Sequence, residues 1–506
     1  MRRSIAVRGG RGAGAVDLAP PPGAPATGGA GAAARAGRYA AYVFWLMFAI
    51  NFLNYADRWV FSALGPQLKA AFRFDDFQLG VLGSAFLLVY TLVAFPTGYI
   101  ADRVGRKNIV AAGVALWSAA TALTAVAGTF LAMLAVRAAV GVGEGSYYPA
   151  GTSLLSAYAA PPRRATVLAR WGVGALAGAG IGFLVAGVLA GLNWRLAFYF
   201  TGIPGLALAA LMWRVREKVR HEDDPPEAPA AAGSVLDKAR AYLGIPTLRV
   251  ILATHALGFF ALASLASFLV IYLGATYGSA PTVNGGETIP APYPVGGLGP
   301  GLVALIPGAM LLVGGIAGNL AGSAWANRLS GRLVGARVFT GGVGFLLAAP
   351  CVAATLLAPH ALRAIPAYRA ATPGMQVALG VAAYALFGTL TAFLLNVYGG
   401  PMSAALQDVV SPRERAAAGG LELTLAHLVG DTYAAAAVGA LSVALGHWLG
   451  GEQIGLALLL TCPVALVAAG VVGIWGSRFY GRDIAALGVS AEAMLGTAPA
   501  ATGAGE

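Results

Sequence analysis

Most of this 506-residue chain is a succession of apolar stretches of about 20 residues, the length that crosses a bilayer as one α-helix, and no other feature limits its fold so strongly. Twelve such stretches are read near 40–63, 78–100, 108–128, 131–157, 165–191, 194–214, 249–273, 301–326, 335–358, 375–399, 413–446 and 453–476. They lack the period-2 alternation of barrel strands, so the expected class is an all-α membrane protein of twelve transmembrane helices. With 58% hydrophobic residues, 11% charged and a mean hydropathy of +0.73, the chain is too apolar for a soluble protein of this size.

Between the second and third stretches, Gly98-Tyr-Ile-Ala-Asp102-Arg103-Val-Gly105-Arg106-Lys107 crowds charges and two glycines into one short segment. It reads as a tight turn held at the cytoplasmic surface, with Gly98 and Gly105 allowing the turn and Arg103, Arg106 and Lys107 anchoring it. With this turn inside, 25 of the 33 Lys and Arg fall on the cytoplasmic side. Five, Lys69, Arg73, Arg195, Arg363 and Arg369, fall outside, and Arg58, Arg137 and Arg170 lie in spans. That split follows the positive-inside rule and puts both termini in the cytoplasm. It also accounts for the net charge of +12 without a nucleic-acid partner. The Ala/Gly/Arg-rich composition points to a bacterial inner membrane.

The expected organisation is a disordered basic tail over 1–38, a six-helix bundle over 39–215, a charged and Pro/Ala-rich linker over 216–248, a second six-helix bundle over 249–476 and a cytoplasmic tail over 477–506. A weak echo of the turn segment, Gly322-Ser-Ala-Trp-Ala-Asn327-Arg328-Leu-Ser-Gly331-Arg332, follows the eighth span and supports a repeat. The outer loops 274–300 and 359–374 are long and Pro/Gly-rich, and read as partly mobile covers. Cys351 and Cys462 sit in different apolar spans, which favours two buried thiols over a disulfide or a metal site.

Asp102 has two readings. Its carboxylate docks on the positive N-terminus of a helix from the other half, for which Ser411-Pro412-Arg413-Glu414 supplies a capping box, or it belongs to a plain structural turn. Charges inside the spans are costly, about 2.5–3.5 kcal/mol each at the bilayer centre on an insertion scale, and usually pair and face a cavity. Asp57 and Arg58 lie in the first span, Arg137 and Glu144 in the fourth. The latter two are two helical turns apart and share a face. If that face meets the first span, Asp57 and Glu144 can each find an arginine, giving either a proton-coupled switch or a static ion-pair lattice. In the eleventh span Glu422, His427 and Asp431 repeat the pattern, with His427 and Asp431 at i and i+4. This group reads as second-half coupling or substrate binding, or as a structural pair. Asn54, Tyr55, Tyr147, Tyr148, Asn396 and Tyr398 are candidates to line a cavity. The run Gly172-Val-Gly174-Ala-Leu-Ala-Gly178-Ala-Gly180-Ile-Gly182 offers a smooth ridge for helix packing.

These residues resemble the major facilitator superfamily and, within it, the Spinster group. The resemblance rests on Asn54-Tyr55-Ala-Asp57-Arg58, the Gly98 to Lys107 segment, Trp117-Ser118, Arg137-Ala-Ala-Val-Gly141-Val-Gly143-Glu144-Gly145-Ser146-Tyr147, Trp194-Arg195 with Gly202-Ile-Pro204-Gly205, and His427-Leu-Val-Gly430-Asp431. It implies the major facilitator fold, two six-helix bundles around a central cavity, and alternating access, with Asp57, Arg58, Arg137 and Glu144 as coupling residues. It further implies an amphipathic lipid, such as a lysophospholipid or a sphingolipid-like molecule, as substrate. The chain departs from the group's pattern at Gly145, at Asn327 and after Asp431.

A secondary transporter explains the spans, the two halves, the buried charges and the paired turn segments together. An enzyme is not expected, because the five histidines, His221, His255, His360, His427 and His447, have no ligand spacing. Nor does a P-loop suggest ATP drive. The proton is the expected coupling ion, with no other cofactor and no metal. Membrane lipids and the substrate are the expected partners of a monomer. The alternatives are a proton-driven transporter of a small polar or drug-like solute, and a channel or non-transporting receptor on the same fold.

Overall fold

In hydrocarbon no water serves an unpaired backbone N–H or C=O, so a long apolar run must close its hydrogen bonds internally as helix. The computed structural model of the protein describes residues 30–158, 164–216, 235–284, 287–411, 415–449 and 453–487. The first half contains α1 (Ala30–Ala63), α2 (Gly65–Phe72), α3 (Asp76–Val104), α4 (Arg106–Thr124), α5 (Phe130–Ala157), α6 (Arg164–Ala190) and α7 (Arg195–Trp213). The second contains α8 (Val235–Leu243), α9 (Pro246–Tyr277), α10 (Pro300–Ser330), α11 (Ala336–Ala364), α12 (Pro366–Ala370), α13 (Pro373–Asn396), α14 (Gly399–Asp408), α15 (Arg415–Ala426), α16 (Ala434–Leu449), α17 (Gln453–Gly476) and α18 (Tyr480–Ala485). A π-helical turn, His427–Asp431, joins α15 to α16 within one span. Among the described residues, ten helices are long and apolar enough to cross a membrane, and α4 and α5 pack among them in the first half.

Local chemistry sets the helix ends. Asp75 and Gln78 form a reciprocal capping box at the start of α3, with hydrogen bonds of 2.7 and 3.1 Å. Thr372 caps α13, and Pro246, Pro300 and Pro373 occupy the first turns of α9, α10 and α13, where their missing N–H costs nothing. The break between α3 and α4 is Gly105 alone, at φ 98°, a backbone region that side-chain-bearing residues avoid. Gly98 to Arg103 continue α3, so the tight turn is shorter than the sequence suggested and Gly98 is not part of it.

Other boundaries also differ from expectation. Helix α1 begins at Ala30, inside the stretch read as tail; α8 forms within the stretch read as linker, and α18 lies beyond the last span. The segment 359–374 is largely helical, in α11 and α12, rather than loop. The segment 274–300 carries two short antiparallel strands, β1 (Thr282–Asn284) and β2 (Glu287–Ile289), the only strands among the described residues. Cys462 is buried on α17, while Cys351 on α11 is half-buried rather than enclosed.

Because lipid tails are as apolar as leucine, helix association here depends on close packing rather than on escape from water. Helix α6 shows how. A Cβ on Gly174, Gly178 or Gly182 would lie 3.2, 2.0 or 2.4 Å from the carbonyl oxygens of Phe48, Phe52 and Ala56 on α1. The opposite face turns Gly180 and Gly187 to Leu312 and Gly301 of α10, in the other half.

A second seam joins the halves between α3 and α16. Gly80 meets the Ala435 carbonyl and Gly439 meets that of Asp76, each too closely to admit a Cβ. Ser442 Oγ donates to Asp76 Oδ2 at 2.6 Å, and the Ala436 N–H donates to Ser84 Oγ at 3.3 Å. The buried Lys69 of α2 pairs with Asp76 from the same side. Both seams tighten away from the Gly105 turn. Taking that turn as the inner end, the halves are closed together at the outer end.

Candidate functional site

Between the closed seams lies a chamber of about 220 Å³ walled by both halves. Tyr55, Arg58, Trp59, Phe61 and Ser62 of α1, Phe86 of α3 and Arg137 of α5 face Phe259 and Leu262 of α9 and His427 and Asp431 of the π turn. It therefore joins ionisable groups from the first, fourth and eleventh sequence spans.

On the first-half wall Arg58 binds Glu144 through two donors, Nη2 at 2.7 Å and Nε at 3.2 Å to the same Oε2. Glu144 is buried, whereas the Arg58 side chain keeps 22% exposure toward the chamber. The Arg58 guanidinium lies 4.9–5.2 Å from the ring centres of Tyr55, Phe86 and Tyr90, so its charge is also held by aromatic faces. Arg137 is buried and stands over Phe61 at 4.1 Å and Phe86 at 4.6 Å. Its Nε has no hydrogen-bond partner and it makes no ion pair among the described residues.

Asp57 makes no direct ion pair among the described residues, and Arg137 acts on its carboxylate only through space. Asp57 points away from the chamber into its own bundle, accepting hydrogen bonds from Thr121 Oγ1 at 2.5 Å and Thr201 Oγ1 at 3.3 Å. Adjacent positions on one helix, about 100° apart, send Asp57 and Arg58 to different neighbours.

On the second-half wall His427 Nδ1 and Asp431 share a 2.7 Å hydrogen bond across the π turn, and Asp431 Oδ1 is buried without a partner. Glu422 is not part of that pair. It bonds His255 Nδ1 of α9 in a buried contact. The Phe259 ring stacks between the two imidazoles, 5.5 Å from His255 and 5.0 Å from His427. Tyr90 crosses from the first half to the edge of His427 at 6.5 Å.

Several expected cavity residues have other roles. Tyr147 is buried against Trp117 and Trp171, Tyr148 packs on Trp171, and Asn396 donates to the Ala392 carbonyl of its own helix at 2.8 Å. Tyr398 packs on His255 and Phe345, and Asn54 is buried beside the chamber rather than in its lining. Lys107 reaches the Trp213 carbonyl at the end of α7 at 3.4 Å, tying the inner turn to another helix. The expected latch between Asp102 and the Ser411–Glu414 cap lies outside the described residues at 412–414, as do the side chains of Asp102 and Arg103.

A smaller chamber of about 60 Å³ adjoins the first and shares Trp59, Leu262 and Ala266 with it. Phe183, Leu265, Met310 and Leu311 make its surface almost wholly apolar.

Residues 47–430 match the family model of the Major Facilitator Superfamily. The chain belongs to that superfamily of membrane transporters. Among major facilitator proteins it is similar to the protein spinster homolog 1 of Xenopus tropicalis, at 26% identity over 88% of this chain and 80% of that one. The match to the Xenopus laevis homolog 1 is 32% identical but spans only 33% of this chain and 32% of the relative. The solved bacterial homologue of the human lysosomal transporter Spinster, in an inward-facing and occupied conformation, superposes with a TM-score of 0.66 at 22% identity, over 88% of this chain and 97% of its own. That likeness shows the shared major facilitator fold.

Sequence reasoning missed Thr121, Thr201 and His255. An isolated hydroxyl or imidazole in an apolar span carries no distinguishing pattern; only its proximity to Asp57 or Glu422 marks it. Lys69 counts among the outer charges in the sequence, yet α2 turns it inward onto Asp76.

Proposed function

We propose that this integral membrane protein is a proton-coupled secondary transporter that moves an amphipathic lipid, such as a lysophospholipid or a sphingolipid-like molecule, by alternating access. The observation that carries this reading is the charged chamber lying beside an apolar one, with Trp59, Leu262 and Ala266 common to both. A head group takes the first, where the buried Arg137, with no direct ion pair among the described residues, offers a positive charge, and the first methylenes of an acyl or sphingoid chain enter the second. Each methylene so placed adds about 0.8 kcal/mol relative to water.

Coupling follows from the Arg58–Glu144 pair. While Glu144 is ionised it holds Arg58. When Glu144 takes a proton, Arg58 is released toward an anionic group in the chamber, so proton and anion favour each other's binding. Asp57, buried and held by hydrogen bonds from two threonines, is the second acid of this system. The outer seams supply one closed state of the cycle, and parting them opens the other. A cell membrane with both termini in the cytoplasm is the setting the charge distribution supports.

The test is flux into proteoliposomes, with and without a pH gradient, for a panel of lysolipids and polar solutes. Lysolipid flux that grows with the gradient, and loses its pH dependence in Asp57→Asn or Glu144→Gln, is the expected result. Flux of polar solutes alone would remove the lipid reading. Unchanged pH dependence in both variants would remove the coupling reading, and large ohmic currents would make the protein a channel.

A further inference from the structure

The His255–Glu422 contact lies outside the first-half system. His255 is 5% exposed and Glu422 is 7% exposed, on α9 and α15 of one wall. His255 Nδ1 meets Glu422 Oε1, while His255 Nε2 is buried with no partner. The groups facing this contact from the surrounding elements are Tyr398, ahead of α14, which packs edge-on against His255, and His427 with Asp431, behind the Phe259 ring. Tyr90 of α3 and, beyond it, Arg58 of α1 approach from the other half.

No arginine or lysine partners Glu422 among the described residues. With one proton between them, the imidazole and carboxylate are neutral overall, whichever atom holds it. Without that proton a carboxylate would stand buried and unpaired, a state a low-dielectric wall strongly opposes. A change in the charge of this contact therefore requires water or a counter-charge to reach it. Phe259 controls that access, since its ring lines the chamber on one side and covers His255 on the other. The π turn that carries His427 and Asp431 is a local departure from α-helix of the kind that often marks functional sites.

We propose that His255 and Glu422 form a second proton-binding site, in the second-half wall, that loads and releases one proton per transport cycle with Phe259 as its cover. The bond changes balance without any further reactant: a proton from water joins the ionised Glu422 and neutral His255, and the same proton returns to water on the other side. This rests on the proton-coupled reading above and adds a site that the first-half acids do not supply.

The experiment compares substrate exchange at equal pH with accumulation driven by a pH gradient, in proteoliposomes, using whichever panel substrate the wild type accumulates. His255→Gln and Glu422→Gln are expected to keep exchange and lose driven accumulation, and Phe259→Ala to alter the pH profile of whatever driven accumulation it retains. If both single variants fail to insert, the swapped pair His255→Glu/Glu422→His decides: restored accumulation supports the site, and restored exchange without accumulation overturns it. Normal driven accumulation in His255→Gln and Glu422→Gln, with coupling lost only in Asp57→Asn or Glu144→Gln, overturns this proposal alone. A wild type indifferent to the gradient overturns this proposal and the coupling reading together.

Discussion

Gly439→Ala should open the outer end of the protein. A Cβ built on Gly439 would lie 2.3 Å from the Asp76 carbonyl oxygen and 2.7 Å from its carbon, both main-chain atoms that cannot rotate aside. A carbon–oxygen contact relaxes near roughly 3.3 Å, so α3 and α16 must part by about 1 Å at this level. The same step stretches the 2.6 Å hydrogen bond from Ser442 to Asp76 beyond useful range. Overpacking of about 1–3 kcal/mol plus a lost hydrogen bond of about 1 kcal/mol puts roughly 2–4 kcal/mol against the outer-closed state. That shifts the conformational equilibrium by about 30- to 700-fold. Spin labels at Arg73→Cys and Met375→Cys, exposed outer positions on opposite halves, in a background lacking Cys351 and Cys462, should report a longer distance by pulsed electron resonance. Ser442→Ala should move the distance distribution in the same direction by less. Gly178→Ala is the control, since its Cβ would clash as badly with Phe52 but within one half, and it should lower stability without lengthening the distance. A folded Gly439→Ala protein with the wild-type distance distribution would refute the view that this seam holds the halves closed.

Arg58→Ala strands a buried Glu144 and should cost about 3–5 kcal/mol in thermal unfolding in detergent, with part of the loss recovered in Arg58→Ala/Glu144→Ala; a double variant no more stable than the single would contradict the pairing. Gly105→Ala forces a side chain into φ 98° and should destabilise by about 1–2 kcal/mol, measured by denaturant or heat; an unchanged midpoint would place the turn elsewhere. Trp59→Ala removes a side chain common to both chambers and should shift competition among lysolipids toward longer acyl chains, an outcome that an unaltered chain-length preference would exclude.

The membrane class, the succession of spans and the charge bias of the loops are legible in the sequence because each depends on the transfer free energy of a local segment. The capping and glycine signals are local as well, and the ridge of α6 packs on α1 as its spacing suggests. The Gly98 to Lys107 segment shows the limit: glycine permits a turn without requiring one, and α3 runs through Gly98 to end at Gly105. Likewise the spacing of Arg137 and Glu144 correctly puts them on one face, but says nothing of which group each meets.

By itself the sequence determined a helical membrane protein with intramembrane charges whose burial demands partners. Only the tertiary structure decided those partners: Arg58 for Glu144, two threonines for Asp57, and His255 for Glu422. It also decided that the halves meet at the end remote from the Gly105 turn and that a charged chamber adjoins an apolar one. The physical reason is that partitioning into a bilayer depends on what each segment contains, whereas pairing depends on how helices rotate and cross. A rotation of one position, about 100°, separates Asp57 from Arg58 and sends each to a different neighbour.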